Sequence, residues 1–219
     1  VLFCFHYHIV DENSLIDNSC SQFFSGTGEQ FFEQCFSLII EKELLNPPWN
    51  KLIRKSLIDQ NNIRFTPEFS ICEDMAFSID LLRNSNQLIL NNKAYYNYFL
   101  KSSGTLVFKF HENYFEALTD FYNKAKVYCN RYENHQKQRN EIDSLYSRLT
   151  MMYLKMISCY DGWNKEKKQD RIRQIIKDDT FRKALDASTL NHKKRIMKGL
   201  IKAGAYRMIY AIYSTGHSK

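Results

Sequence analysis

Two adjacent carboxylates, Glu73 and Asp74, stand at the start of an amphipathic stretch that predicts a helix over residues 73–84. A carboxylate in a first helical turn is held by free backbone N–H groups and by the positive end of the helix dipole, which favours its ionised form. An ionised carboxylate can take a proton from a hydroxyl group, so either member of the pair has the chemistry of a general base. Acids are also common in ordinary first turns, so the pair alone leaves both roles open.

Four short motifs follow one another between Asn46 and Ser103, and their order and spacing carry more information than any one of them. They are Pro47-Pro48-Trp49-Asn50-Lys51-Leu52, Ile63-Arg64-Phe65, Cys72-Glu73-Asp74-Met75-Ala76-Phe77 and Tyr95-Tyr96-Asn97-Tyr98. The series resembles the acceptor-side half of family 2 glycosyltransferases with the GT-A fold. In that family a W-N-K-L stretch, an I-R-F strand, an E-D-x-x-F helix start and a Y-x-Y strand occur in this order. The resemblance covers residues 1–105.

The resemblance implies a reaction and the residues that carry it. The reaction is an inverting transfer of a sugar from a nucleotide-sugar donor to a glycan or lipid-linked acceptor hydroxyl, whose proton a carboxylate must take. The family's base matches Asp74, with Glu73 beside it. Trp49, Asn50 and Lys51 match the stretch before the base helix and are expected to bind substrate. Trp49 offers an apolar face to a sugar ring and Lys51 a charge to a phosphate; alternatively, Trp49 packs in the core and Lys51 is solvated.

The donor side of such an enzyme has no counterpart in this sequence. In the family an N-terminal half binds the nucleotide-sugar, and its D-x-D motif carries a divalent metal, Mg or Mn. None of the twelve aspartates here lies two positions from another, and no glycine-rich phosphate loop occurs. The chain opens on Val1 inside an apolar run too short to span a bilayer. We therefore expect a fragment that begins after the donor-binding half, is inactive alone, and leaves most metal ligands outside its own residues.

The tyrosines of the fourth motif alternate along a predicted strand. Tyr96 and Tyr98 project to one face of it, and Tyr95 and Asn97 project to the other. Core packing and contact with an acceptor are the two roles open to Tyr96 and Tyr98, and the pattern favours core packing.

The histidines and cysteines form no recognisable ligand set. His6 and His8 share one face of a predicted strand, but no third ligand is evident. The six cysteines show no C-x-x-C motif and no tight pair, which favours free thiols in a reducing cytoplasm. We assign no metal ligand within the chain.

The net positive charge is confined to the C-terminal segment. Of the 31 Lys and Arg and 24 Asp and Glu, residues 191–219 hold seven basic residues and no acid, so the remaining 24 and 24 balance. Over residues 193–213 apolar side chains recur at helical spacing with Lys and Arg opposite, which is typical of a helix lying on an anionic membrane. The same pattern fits a helix docked on its own domain. Because bacterial members of the family often act on lipid-linked sugars, the expected location is cytoplasmic, with a peripheral position on the inner face of the plasma membrane as the alternative.

Hydrophobic periodicity predicts a helix-rich α/β protein. The expected fold is a partial GT-A, Rossmann-like mixed sheet with flanking helices over 1–105, followed by an all-helical C-terminal extension over 106–219. The predicted strands are 1–10, 63–65, 87–90 and 94–100, with a loop over 11–28 and a turn at Asn91-Asn92. The predicted helices are 29–45, 49–58, 73–84 and, after residue 111, stretches centred on 114–132, 142–156, 165–178 and 189–213.

Two other functions compete with a glycosyltransferase of surface polysaccharide biosynthesis. A pI near 9 with interleaved Lys and Tyr would suit a nucleic-acid-binding protein. However, the body of the chain is neutral and no helix-turn-helix, RNA-recognition or zinc-finger pattern occurs, so we expect no nucleic-acid partner. A half-domain that has lost catalysis and serves as a scaffold is the other alternative.

Overall fold

A computed structural model describes residues 2–10, 15–17, 22–99, 109–132, 134–189 and 192–215. Within these ranges four strands form one mixed sheet: β1 (Leu2–Val10), β2 (Leu15–Asp17), β3 (Phe24–Thr27) and β4 (Gln87–Phe99). The strand order is β2-β1-β4-β3, with β1 and β4 parallel and each outer strand antiparallel to its neighbour. The strand predicted at 1–10 is confirmed. The loop predicted at 11–28 is wrong where β2 and β3 occur, because strands this short show too little alternation to be recognised.

Strand β4 is continuous where two strands and a turn were predicted. Its pairing with β1 passes from Phe5 opposite Asn91 to His6 opposite Ala94, so two residues of β4 are extra at this point. The N–H of Lys93 donates to Oδ1 of Asn91 at 2.9 Å, the local hydrogen bond that asparagine often makes in turns. The turn signal in the sequence therefore marks a bulge inside one strand.

Helix α1 (Gly28–Glu41) begins and ends at recognisable caps. Thr27 and Gln30 form a capping box, in which each side chain accepts a hydrogen bond from the other residue's backbone N–H. At the far end Glu43 adopts a left-handed φ of 54°, and the N–H of Leu44 donates back into the last turn at 3.0 Å. The chain consequently leaves the helix in a sharp corner.

A buried ammonium group closes this corner. Nζ of Lys51 donates to the carbonyl oxygens of Leu44 (3.1 Å), Leu45 (3.4 Å) and Pro47, and to Oδ1 of Asn50 at 2.7 Å. Nδ2 of Asn50 also donates to the Leu44 carbonyl, at 3.2 Å. Both side chains are buried, so these hydrogen bonds supply donors to carbonyl groups that water does not reach.

The helix predicted over 49–58 is absent. A 3₁₀ turn covers Pro48–Asn50, Lys51 has extended backbone angles, and the next helix, α2, spans Lys55–Gln60. The prediction failed because the hydrogen bonds at the corner run through side chains instead of continuing a helical ladder.

The strand predicted at 63–65 is also wrong, whereas α3 (Glu73–Asn84) matches its predicted bounds. Ile63 is buried in a small cluster with Phe77 and Leu81 of α3. Phe65 stacks on Phe77 with ring centroids 4.3 Å apart. These apolar side chains anchor a loop to α3, which explains why the segment has strand-like composition without strand pairing.

From residue 109 onward the described residues contain only helices and their connections, as predicted. The helices are α4 (Tyr114–Cys129), α5 (Gln136–Cys159), α6 (Lys165–Ile175), α7 (Asp179–Ala187), α8 (His192–Lys202) and α9 (Tyr206–Thr215). Phe32 of α1 stacks on Tyr132 at 4.5 Å and meets Tyr128 edge-on at 5.4 Å. One hydrophobic core therefore runs through both predicted parts, and the boundary predicted at residue 105 lies outside the described residues. None of the helices described is both long enough and apolar enough to cross a bilayer.

The helix predicted over 189–213 is broken into α8 and α9 at Gly204. Gly204 has a left-handed φ of +69°, its N–H donates to the Ile201 carbonyl, and the N–H of Ala205 donates to the Leu200 carbonyl at 2.9 Å. This pair of bonds is a Schellman motif, which ends α8. Met197, Ile201 and Ile209 are buried in the core. Much of the apolar stripe over 193–213 therefore packs against the protein itself, in contrast to a free amphipathic helix.

Replacing Gly204 by alanine should destabilise the protein by about 1 kcal/mol, because an L side chain is strained at this φ. No atom lies within 4 Å of the position that a Cβ would occupy, so backbone strain is the whole effect. Gly199→Ala is the matched control, since it too has open space but lies inside α8. It should stabilise by about 0.5–1 kcal/mol. Urea denaturation measures the change in the free energy of unfolding for both variants. Changes of the same sign would contradict the left-handed cap at Gly204.

Replacing Lys51 by methionine should lower the free energy of unfolding by about 2–4 kcal/mol, since several buried oxygens lose a donor. Lys55→Met is the control: that side chain is exposed and pairs with Asp59 one turn away, so its loss should cost less than about 0.5 kcal/mol. Urea denaturation compares the two. Equal, small losses would show that Lys51 does not hold the corner.

Candidate active site at the start of helix α3

Helix α3 places Glu73 and Asp74 in its first turn, as predicted. The residue before them, Cys72, has a left-handed φ of 60°, which is uncommon for a residue other than glycine. The helix is fixed by a hydrogen bond from Oγ of Ser78 to the Leu45 carbonyl at 2.7 Å. The second turn of α3 is thereby attached to the same corner that Lys51 closes.

The loop leading into α3 is held by the segment before α4. Nδ2 of Asn113 donates to the Glu68 carbonyl at 3.0 Å, and Oγ of Ser70 lies 3.3 Å from Nδ1 of His111. Tyr114 lies close enough to Cys72 to lower the pKa of its thiol, against the larger effect of burial. The helical part of the chain thus positions the loop that leads into α3 and its candidate base.

That segment is itself fixed by α5 and α6. The Tyr153 hydroxyl donates to the carbonyls of His111 (3.0 Å) and Glu112 (2.8 Å). Nε1 of Trp163 donates to the Glu112 carboxylate at 3.1 Å, and Arg171 donates to the Glu112 carbonyl at 3.3 Å. An open cleft of about 610 Å³ lies beside this network, but its walls carry charges that pair with one another, including Lys167 with Glu112.

The carboxyl group of Asp74 is half-buried, and its pKa is shifted towards neutrality. Burial, the largest cause, and the neighbouring negative charge of Glu73 raise the pKa, and the positive charge of Lys51 lowers it; together they bring the pKa to about 6. The first-turn position had suggested a carboxylate favoured in its ionised form; the shift runs in the opposite direction because burial outweighs the favourable charges. Asp74 is thus a stronger base than an exposed aspartate while remaining mostly ionised at pH 7.

The side chains of Asn50 and Lys51 are both buried and bonded to the corner carbonyls. The solvated alternative for Lys51 is wrong, because the ammonium group replaces water with protein oxygens. Direct binding of substrate by these two residues stays a prediction. Lys51 affects Asp74 electrostatically, because its positive charge lowers the pKa of the carboxyl group.

Trp49 belongs to an aromatic stack on the sheet. Its ring lies parallel to Tyr96 at a centroid distance of 4.1 Å and to Tyr98 at 5.4 Å. Tyr96 is 39% exposed, so the favoured role of core packing is wrong for this residue. On the opposite face of β4, Tyr95 and Phe99 are 59% and 64% exposed. Trp49 lies two residues before Lys51 in the sequence, so the stack adjoins the corner that Lys51 closes.

Metal ligation and disulfides receive little support from the described residues. Among them no group of three or more His, Cys, Asp or Glu side chains could hold a metal ion. A bound Mg or Mn therefore stays a prediction that these residues do not fit, and no chemical step is derived from it. Cys35, Cys72, Cys129 and Cys159 form no disulfide, which agrees with the expected thiols. Burial raises the pKa of Cys72 to about 12, which keeps this thiol protonated at neutral pH.

Comparison with known proteins supports the fold. No protein-family model matches the sequence, and no curated protein matches it. The crystal structure of S. aureus TarS 1–349 in complex with UDP-GlcNAc is similar to this structure with a TM-score of 0.62 at 15% identity, over 96% of this chain and 60% of that chain. S. aureus TarS 1–349 in a second crystal structure gives a TM-score of 0.55 at 14% identity, over 97% and 59%.

The chain spans about three fifths of the length of these TarS structures. At such low identity the similarity establishes architecture and leaves family 2 membership a prediction. TarS is a glycosyltransferase, so this chain has a glycosyltransferase-like fold.

Proposed function

We propose that this chain is the acceptor-side part of a glycosyltransferase that transfers a sugar from a nucleotide-sugar to a hydroxyl of a glycan or lipid-linked acceptor. The observation that carries the proposal is the half-buried carboxyl group of Asp74 at the start of α3, whose pKa is about 6. The buried ammonium group of Lys51 interacts electrostatically with this carboxyl group. The fold similarity to a UDP-GlcNAc-bound TarS structure supports the donor class.

In the proposed reaction Asp74 acts as the general base. Its carboxylate takes the proton of the acceptor hydroxyl while that oxygen attacks the anomeric carbon of the donor. The bond between the anomeric carbon and the nucleotide's phosphate oxygen breaks, and the nucleoside diphosphate leaves with the bonding electrons. Attack from the face opposite the leaving group inverts the anomeric configuration.

Glu73 and Lys51 adjust this base in opposite directions. The charge of Glu73 raises the affinity of Asp74 for a proton, and the charge of Lys51 lowers it. Proton transfer is most effective when the pKa of the base lies near the working pH, because the base is then both ionised and reactive. A pKa near 6 satisfies both conditions at neutral pH.

The aromatic stack of Trp49, Tyr96 and Tyr98 is the proposed contact for an acceptor sugar. Sugar rings present apolar C–H faces that pack on aromatic rings, and Tyr96 is 39% exposed while it stacks on Trp49. The stack is a suitable neighbour of the base because Trp49 directly precedes Asn50 and Lys51, the buried residues that fix the corner. The charge of Lys51 in turn acts on Asp74.

Donor binding is assigned to other residues. The sequence lacks D-x-D and glycine-rich phosphate motifs, and the described residues hold no metal cluster. We therefore place the phosphates and the Mg or Mn ion on a donor-binding segment other than the residues described. UDP-GlcNAc is the first donor to test, because TarS 1–349 binds it.

Asp74→Asn should reduce sugar transfer by about 10²–10⁴-fold, because the amide cannot accept the proton. The assay uses these 219 residues joined to a family 2 donor-binding segment, with UDP-GlcNAc as donor. In the parent protein kcat/KM should rise with pH through a midpoint near 6, and Glu73→Gln should move that midpoint lower, since the charge raising the Asp74 pKa is gone. Asp80→Asn, in the same helix and paired with Lys124, is the control and should transfer normally.

The same substitution should act on stability in the opposite direction. The pKa of Asp74 is higher in the folded than in the unfolded state, so its stabilising contribution is full below about pH 4 and is lost as pH rises through 6. Asp74→Asn should therefore be more stable than the parent by about 1–2 kcal/mol above pH 7, after allowance for solvent screening, with no difference near pH 4. Near-normal transfer by Asp74→Asn would make Asp74 an ordinary helix-start acid.

Tyr96→Ala should raise the acceptor KM at least tenfold while changing kcat little, because it removes a binding surface and no reacting group. Tyr95→Ala is the matched control, since this neighbour is also exposed but points to the other face of β4. Equal effects of the two substitutions on the acceptor KM would place the acceptor elsewhere. Thermal unfolding of both variants checks that the strand remains folded.

A further inference from the structure

The inner faces of α8 and α9 are fully accounted for by the core. Met197 and Ile201 of α8 and Ile209 of α9 are buried. Tyr213 of α9 packs against the same core, and its carbonyl accepts a hydrogen bond from Sγ of Cys159 in α5. Since both helices rest on one core and contact each other, their outer faces point away from the protein.

The outer faces are strongly basic. Arg195, Lys202 and Arg207 are exposed, and residues 191–219 contain no acid. The acid that pairs with this surface in the described structure is Asp186 of α7, which contacts Lys202 at 2.8 Å. The remainder of the chain carries equal numbers of basic and acidic residues, so the positive charge is a local property of this surface.

Large apolar side chains are exposed among these charges. Ile196 is 61% exposed on α8, and Met208 and Ile212 are 57% and 46% exposed on α9. They are separate from the buried positions 197, 201 and 209, and each lies within one helical turn of a basic residue or of another exposed apolar one. The outer surface therefore combines exposed charge with exposed hydrocarbon.

We propose that the outer surface of α8 and α9 binds an anionic lipid membrane, with Arg195, Lys202 and Arg207 near the headgroups and Ile196, Met208 and Ile212 in the interfacial layer. Charge complementarity selects an anionic partner. The exposed apolar side chains favour lipid over a nucleic acid. The phosphates of a nucleic acid can bind the basic side chains, but they give no apolar environment for Ile196 or Met208. The proposal does not depend on the glycosyltransferase activity.

The geometry predicts a reversible, peripheral association. Part of the apolar stripe packs against the core and cannot contact lipid. The corner at Gly204 also prevents α8 and α9 from lying on a membrane as one long helix. Each basic residue close to an anionic surface contributes roughly a fivefold gain in partitioning, and salt screens this gain within a Debye length. Binding should therefore need anionic lipid and should weaken steeply with salt.

The test is co-sedimentation of the full chain with vesicles of phosphatidylcholine containing about one third phosphatidylglycerol, against vesicles of phosphatidylcholine alone. Arg195→Gln combined with Arg207→Gln should lower binding to anionic vesicles by about 25-fold. Lys55→Gln combined with Lys93→Gln makes the same change in net charge on α2 and β4, where both side chains are exposed, and should leave binding unchanged. This comparison separates the surface of α8 and α9 from overall charge.

A second pair of variants tests the apolar contribution. Met208→Ser should weaken vesicle binding several-fold, whereas Met152→Ser, on the exposed side of α5, should not. Equal binding to neutral and anionic vesicles, or equal effects of the two charge variants, overturns the proposal. Tight binding to single-stranded DNA that is lost in the Arg195/Arg207 variant and kept in Met208→Ser, without vesicle binding, overturns it in favour of a nucleic acid.

Discussion

The buried ammonium of Lys51 is the interaction on which the site depends. A charged group in the interior is stable only when oxygens replace its water shell, and the corner after α1 supplies them from Leu44, Leu45, Pro47 and Asn50. Because Ser78 of α3 donates to the Leu45 carbonyl as well, the same short stretch of backbone joins the end of α1, the 3₁₀ turn and the start of α3. The position of Asp74 relative to Lys51 is thus set by backbone geometry that a flexible surface lysine could not provide.

This arrangement exchanges stability for reactivity. Burial of Asp74 beside Glu73 raises its pKa and makes the ionised form costly in the folded protein at neutral pH. A neutral side chain would fit the same place at lower cost, yet it could not accept a proton. Cys72 adds a second cost, because its left-handed backbone is uncommon for a residue with a Cβ. Two local disadvantages meeting at the first turn of α3 are what a working site would show, and an ordinary helix start would need neither.

The sequence predicts those features that depend on local pattern. The bounds of α3, the strand β1 and the change to helices after the sheet follow from periodicity, and the carboxylate pair was placed in its first turn correctly. The bulge of β4 was signalled by Asn91-Asn92 but predicted as a turn, and the break at Gly204 was not predicted. The corner of Lys51 could not be predicted, because its hydrogen bonds depend on tertiary placement of backbone carbonyls. The pKa of Asp74 depends on burial, which no spacing encodes.

The helical part contributes to the site without entering it. Tyr153, Trp163 and Arg171 fix residues 111 and 112 through backbone and carboxylate hydrogen bonds, and the adjoining His111, Asn113 and Tyr114 contact the loop that enters α3. The extension therefore supports the candidate base from behind; α9 packs on α5 and α6, and α8 packs on α9. The surface of α8 and α9 is thus linked to the first turn of α3 through packed helices. If that surface lies on a membrane, the orientation of the base relative to a lipid-linked acceptor is fixed by the packing of helices rather than by a flexible tether.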